Sequence, residues 1–220
     1  QRSRQVDFTV PEREIGRAWL DGDWERATDL WGRASIAWPR DLLALQYAHV
    51  GDFFLGYSHM LRDRVARVLP HWNREVPGYG FVKGMYAFGL EEAGDYEQAE
   101  AHGRDAVALN KQDGWAVHAV THVMEMQGRA AEGAEFLGAS VDGWAPNSMF
   151  AYHLWWHKAL FHLDADDPST ALKLFDSRIS AAGFGQALEL VDGSSLLWRL
   201  WLLGHGVGDR WNDLARKWET

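Results

Sequence analysis

The sequence lacks cysteine altogether, is short of basic residues, and contains no apolar run approaching the length of a membrane span. Without cysteine there is no disulfide framework, no thiolate nucleophile and no cysteine-ligated zinc or iron–sulfur centre. A helical span needs roughly 18 or more consecutive apolar residues, and no signal-peptide pattern opens the chain. The expectation is a cytoplasmic protein with no membrane partner. In 220 residues, 22 Lys and Arg stand against 31 Asp and Glu, a net charge of −9 with histidine neutral. That balance argues against a nucleic-acid groove or an anionic lipid surface. A glycine-rich phosphate loop, a serine elbow, a dinucleotide fingerprint and the H-E-x-x-H pattern of zincin hydrolases are also missing.

Tryptophan, by contrast, is abundant. Thirteen are present, most at helical spacing, as expected of large aromatic knobs that fill wide gaps between helices. From Pro11 onward, Ile15, Ala18 and Trp19, then Trp24, Ala27, Leu30 and Trp31, follow helical steps around Asp21-Gly22-Asp23, which predicts a helix hairpin. The turn recurs as Gly-Asp-aromatic-x-x-small at Gly22–Ala27, Gly51–Gly56 and Gly94–Ala99, and more loosely at Gly128–Gly133 and Asp166–Ala171. The small residues at 27, 56, 99, 133 and 171 are 29, 43, 34 and 38 apart, near the 34-residue period of tetratricopeptide helix pairs. In each copy glycine ends one helix, aspartate caps the next, the aromatic residue wedges between them and the small residue permits a close crossing.

The predicted fold class is all-α, a right-handed α-solenoid of tetratricopeptide-like helix hairpins, about five pairs, forming one continuous domain over 1–220. Helix pairs are expected at 8–41, 42–70, 80–113, 114–146 and 147–182, with terminal helices over 186–220. Pro70 to Gly80 reads as an ordered loop that tucks Trp72 and Tyr79 onto the solenoid. Ser140 to Asn147 reads as a stretched connection. Lys111 stands where such repeats carry proline, so Asp113-Gly114 must break the chain there. A chain that starts at Gln1 and ends in the amphipathic run Trp211 to Trp218 is expected to be a piece of a longer repeat protein.

Between about Trp38 and Trp218 the chain resembles the tetratricopeptide repeat protein 38 family. The resemblance rests on F-V-K-G-M-Y-A-F-G-L-E-E-A-G-D-Y at Phe81–Tyr96, W-A-V-H-A-V-T-H-V-M-E-M-Q-G-R at Trp115–Arg129, H-L-W-W-H-K-A-L-F-H-L at His153–Leu163, and V-G-D-R-W at Val207–Trp211, in that order. It implies a solenoid of tetratricopeptide-like repeats and brings no settled activity. The family pattern places asparagine after the first histidine of the second pair. This sequence has Leu154 there, which implies an altered site if that side chain supports a ligand.

The chemistry concentrates in two histidine pairs. On a helix from Gly114, His118, His122 and Glu125 are four and three residues apart and share one stripe, and His153 and His157 repeat the four-residue step. In the general tetratricopeptide fold the first helix of each pair lines the concave surface. Neighbouring parallel helices with axes about 8–10 Å apart can aim all five groups at a common point.

Histidines one turn apart suit zinc, nickel, copper or iron, and two histidines with a carboxylate resemble a facial non-haem iron set. A metal-free cluster would bind a polar ligand or move protons. The leading expectation is therefore a binding module whose His/Glu-lined groove holds a small molecule or peptide, with Trp115, Trp155 and Trp156 as walls. A metal-dependent enzyme and a purely structural scaffold for protein partners are the alternatives. His49, His59, His71, His102, His162 and His205 lack paired spacing and read as surface or core residues. Arg62 and Arg64 read as a solvated face, and Glu91 and Glu92 as exposed or as an extension of the groove wall.

Overall fold

Every regular element in the computed structural model is helical among its described residues, which are 12–146, 148, 150–181 and 183–219. The expected start of the first helix pair, at residues 8–11, lies outside them. The turns obey one rule. Gly22, Gly56, Gly94, Gly128, Asp166 and Gly204 have φ between 59° and 83° and are 34, 38, 34, 38 and 38 residues apart. At each, the following residue donates its backbone N–H to the carbonyl five positions back: Asp23 to Ala18, Tyr57 to Asp52, Asp95 to Leu90, Arg129 to Met124, Asp167 to His162 and His205 to Leu200, all at 2.8–2.9 Å. This is the Schellman closure, which satisfies carbonyls that the helix end leaves without a partner. The left-handed residue it requires is normally glycine, or a short polar side chain such as Asp166.

The observed register corrects one expected copy. Gly51-Asp52-Phe53 lies inside a helix, and the turn glycine of that repeat is Gly56. Asp52 accordingly caps nothing. It is fully buried and accepts from Arg64, Nε to Oδ2 at 2.5 Å and Nη2 to Oδ1 at 3.2 Å. Arg64 is thus removed from the solvated face expected for it. A buried charge persists when paired and hydrogen-bonded, and a bidentate guanidinium–carboxylate contact provides both.

Contact density divides the chain into two compact units, Gln1–Val120 and Thr121–Thr220. The first contains α1 (Glu12–Leu20), α2 (Trp24–Ala37), α3 (Leu42–Phe54), α4 (Ser58–Val68), α5 (Tyr79–Glu92), α6 (Tyr96–Leu109) and the start of α7 (Gly114–Met126). Each helix from α1 to α5 packs on its successor in sequence. Asp23, Asp41 and Asp113 cap α2, α3 and α7 by accepting backbone N–H groups, so Asp113 does break the chain in place of proline. Close crossings depend on small residues: a Cβ on Gly89 would lie 2.5 Å from the Leu61 carbonyl oxygen.

The predicted loop is shorter than expected. A 3-10 turn covers Leu69–His71, and α5 already begins at Tyr79. Trp72 is buried and donates its indole N–H to the Pro39 carbonyl at 2.7 Å, which anchors the loop. Glu91, expected as exposed or as an extension of the groove wall, is buried.

The second unit holds the end of α7, α8 (Ala130–Ala139), a short α9 (Val141–Trp144), α10 (Ala151–Asp164), α11 (Pro168–Leu174), α12 (Ala187–Leu202) and α13 (Arg210–Trp218). A single helical turn, α9, thus occupies the expected connection, and its Trp144 is fully buried with the indole N–H on the Leu137 carbonyl at 3.1 Å. A π-helical turn over Phe175–Ile179 continues α11. Helix α10 is central, packing on α8, α11 and α12. Its Leu160 joins Phe175, Ile179, Leu196, Leu197, Leu200 and Leu214 in one core, and Phe161 fills the space that the missing side chain of Gly133 leaves open.

Candidate functional site

Helix α10 is packed on several sides, and two of its three histidines, His153 and His157, are surrounded by packed side chains. His157 is 2% exposed, while the His153 side chain remains 21% exposed. Both rings are held from behind. His157 Nδ1 lies 2.6 Å from Glu125 Oε2, and His153 Nδ1 lies 2.7 Å from Asp192 Oδ2 on α12. Their other nitrogens face each other, Nε2 to Nε2 at 3.1 Å. His122 completes the group: one nitrogen from each of His122, His153 and His157 lies within 4.8 Å of the others, and the His122 and His157 ring centroids are 4.8 Å apart.

Trp156 forms one wall. Its ring stacks nearly parallel on His153 at 5.2 Å, and its indole N–H donates to Ser195 Oγ at 2.9 Å. Trp155 points elsewhere, against Trp144 and the Arg178 guanidinium. Beside the cluster is a cleft of about 280 Å³ lined by Glu125, Asp164 and Arg199 together with Leu160, Leu163, Leu202 and Leu203.

The electrostatics follow from burial. Desolvation pushes the Glu125 carboxyl up, against the opposing pull of His122, Arg199 and His153. It holds His157 well below the ordinary imidazole range, reinforced by His122, His153 and Arg199. Asp164 is also raised, mainly by burial and then by Glu125. A site that disfavours net charge on its own groups while aiming imidazole nitrogens inward suits a polar or cationic guest.

Within the second unit, the expected groups His122, Glu125, His153 and His157 meet. Glu125 does so in an unexpected role, bracing His157 from behind. His118 lies one turn before His122 on α7, within the first unit, where its ring is buried and stacks on Phe88 at 5.3 Å. Trp115, expected as a wall, donates its indole N–H to the buried His49 Nε2 at 3.1 Å, which places that imidazole's proton on Nδ1. Leu154, at the asparagine position of the resembled family, is completely buried. Sequence reasoning missed Asp192, Ser195 and Arg199.

A concavity of about 850 Å³ in the first unit is lined by Trp19, Trp31, Trp38 and Tyr47, and among the described residues Asp41 is its one acidic group and no comparable set of titratable groups gathers there. No described helix is long and apolar enough to cross a membrane.

No family model matches the chain. Among solved structures it is similar to the crystal structure of MamA, a tetratricopeptide-like protein, with a TM-score of 0.56 and 13% sequence identity, over 82% of this chain and 96% of that one. At that identity the likeness speaks to architecture alone: the fold is an all-helical repeat of the tetratricopeptide-like kind.

Proposed function

We propose that this protein is a tetratricopeptide-like binding module whose ligand, a small molecule or peptide, is held at the histidine cluster of the second unit. The observation that carries the reading is the pair of braced imidazoles, His157 on Glu125 and His153 on Asp192, with their Nε2 atoms turned toward each other. Fixing two rings in one orientation costs side-chain entropy and buries carboxylates, which core packing alone does not require. The adjacent cleft adds Arg199 and Asp164 over a floor of leucines, a mixture suited to an amphipathic ligand. The resemblance to the tetratricopeptide repeat protein 38 family is consistent with this reading and supplies no activity. A scaffold for protein partners is the broader form of the same proposal, since helix-repeat folds present extended binding surfaces.

The test is a screen of small polar molecules and short peptides by proton–nitrogen NMR, following the Trp156 indole N–H as identified by Trp156→Phe. Ligands that move this resonance and lose at least tenfold in affinity on Arg199→Ala or His153→Ala support the site. Ligands whose affinity is unchanged by both substitutions place recognition elsewhere and overturn it.

A further inference from the structure

We propose that His122, His153 and His157 bind one divalent first-row transition ion of the zinc class, with Glu125 and Asp192 acting as the outer carboxylates that orient two of the three rings. The inference rests on the binding reading above, because it concerns the same cluster, and it names the guest.

Three observations converge. The first is tautomer logic. An ionised carboxylate only accepts, so Glu125 and Asp192, at 2.6 and 2.7 Å, place a proton on Nδ1 of His157 and of His153. Each neutral ring then presents a lone pair at Nε2, and these two atoms lie 3.1 Å apart. Two lone pairs at that distance repel unless a proton or a metal ion lies between them, and of the two a metal ion can also engage His122.

The second is spacing. With metal–nitrogen bonds of about 2.0–2.1 Å, two nitrogens on one ion are separated by roughly 2.8–3.4 Å for right-angled to tetrahedral geometry. The His153–His157 separation of 3.1 Å falls inside that interval, and His122 offers a third nitrogen within 4.8 Å of both.

The third is the outer support. Histidine ligands commonly pass their second N–H to a carboxylate, which fixes the ring and raises its basicity. Here two such carboxylates arrive from different helices, α7 and α12. An all-nitrogen set without thiolate favours zinc, copper, nickel or cobalt over magnesium or calcium.

The experiment uses the whole chain purified without a histidine tag, stripped with a chelator and titrated with Co²⁺ and then Zn²⁺. One equivalent of Co²⁺ is expected to give ligand-field absorption in the visible, displaced by one equivalent of Zn²⁺. Affinity is expected to fall at least 100-fold in His153→Ala or His157→Ala, and 10- to 100-fold in Glu125→Gln and Asp192→Asn. The exposed His59→Ala is expected to bind as wild type. The wild-type titration needs no variant, and the two amide substitutions keep side-chain shape should an alanine variant fail to fold. Absence of a one-to-one site in wild type, or equal affinity in Asp192→Asn, Glu125→Gln and His59→Ala, overturns the metal assignment. Retained binding of screened ligands to the stripped protein would then leave the broader pocket reading standing, whereas loss of both removes it.

Discussion

His49 and Asp113 contribute to the pH dependence of the first unit with opposite signs. Burial lowers His49 to about 3, with the Leu61 backbone pulling weakly the other way. The unfolded ring takes up a proton below its ordinary value of 6.5 and the folded ring does not, so this contribution is complete above 6.5 and is lost as pH falls toward 3. Stability measured by urea unfolding is expected to decline over that window, with a shallower decline in His49→Phe. An unchanged slope in the variant would refute the assignment.

Asp113 is raised to about 6, by burial and against the two backbone N–H groups that it accepts. The folded state then holds the proton more tightly, so this carboxylate costs stability as pH rises through 3.8 to about 6. Asp113→Asn keeps the capping oxygen and removes the buried charge. It is expected to stabilise the protein above pH 6 by on the order of 1 kcal/mol, and to have little effect near pH 4. Trp115→Phe leaves the His49 acceptor buried without its indole donor and is expected to cost about 1–3 kcal/mol, read as a lower urea midpoint with unchanged m.

At the scale of helices, the glycines separate into those that a crossing requires and those that it tolerates. A Cβ on Gly89 would lie 2.4 Å from the Arg62 backbone nitrogen and 2.5 Å from the Leu61 carbonyl oxygen, so α4 and α5 would have to move apart. On Gly138 it would meet only the flexible end of Lys158, at 3.0 Å. Gly89→Ala is expected to destabilise by about 1–3 kcal/mol despite the better helix propensity of alanine. Gly138→Ala is expected to be neutral or to stabilise by up to about 1 kcal/mol. Equal unfolding midpoints for the two would contradict the crossing geometry.

The hairpin pattern was legible in the sequence because its signals are local: a left-handed glycine, a capping aspartate and apolar residues at helical steps. The copy at Gly51 misled because Gly-Asp-aromatic is also compatible with a helix interior when the aspartate finds a buried arginine. The histidine stripes were legible by the same local logic. Asp192 was not, since nothing in the sequence indicates which residue of α12 will come to lie behind His153. Contacts between residues 39 apart in sequence depend on how α10 and α12 pack, and helical periodicity carries no information about that register.

For the molecule as a whole, the repeat supplies the means of placing distant residues side by side. Within the second unit it brings α7, α10 and α12 to one point, where three imidazoles meet with two carboxylates behind them. A guest bound only by the folded state stabilises it by mass action, about 2.7 kcal/mol at a free concentration of 100 times the dissociation constant. Zinc is therefore expected to raise the melting temperature of wild type, with little effect on a His153→Ala/His157→Ala double variant; equal shifts would point to binding elsewhere.

The most direct measurement is long-range proton–nitrogen NMR of the histidine side chains, on stripped protein and after one equivalent of zinc. His153 and His157 are expected to carry slowly exchanging Nδ1 protons with zinc bound, while zinc moves their Nε2 resonances and that of one His122 nitrogen. Protons on Nε2 of both rings, or Nε2 resonances that zinc leaves in place, would contradict it.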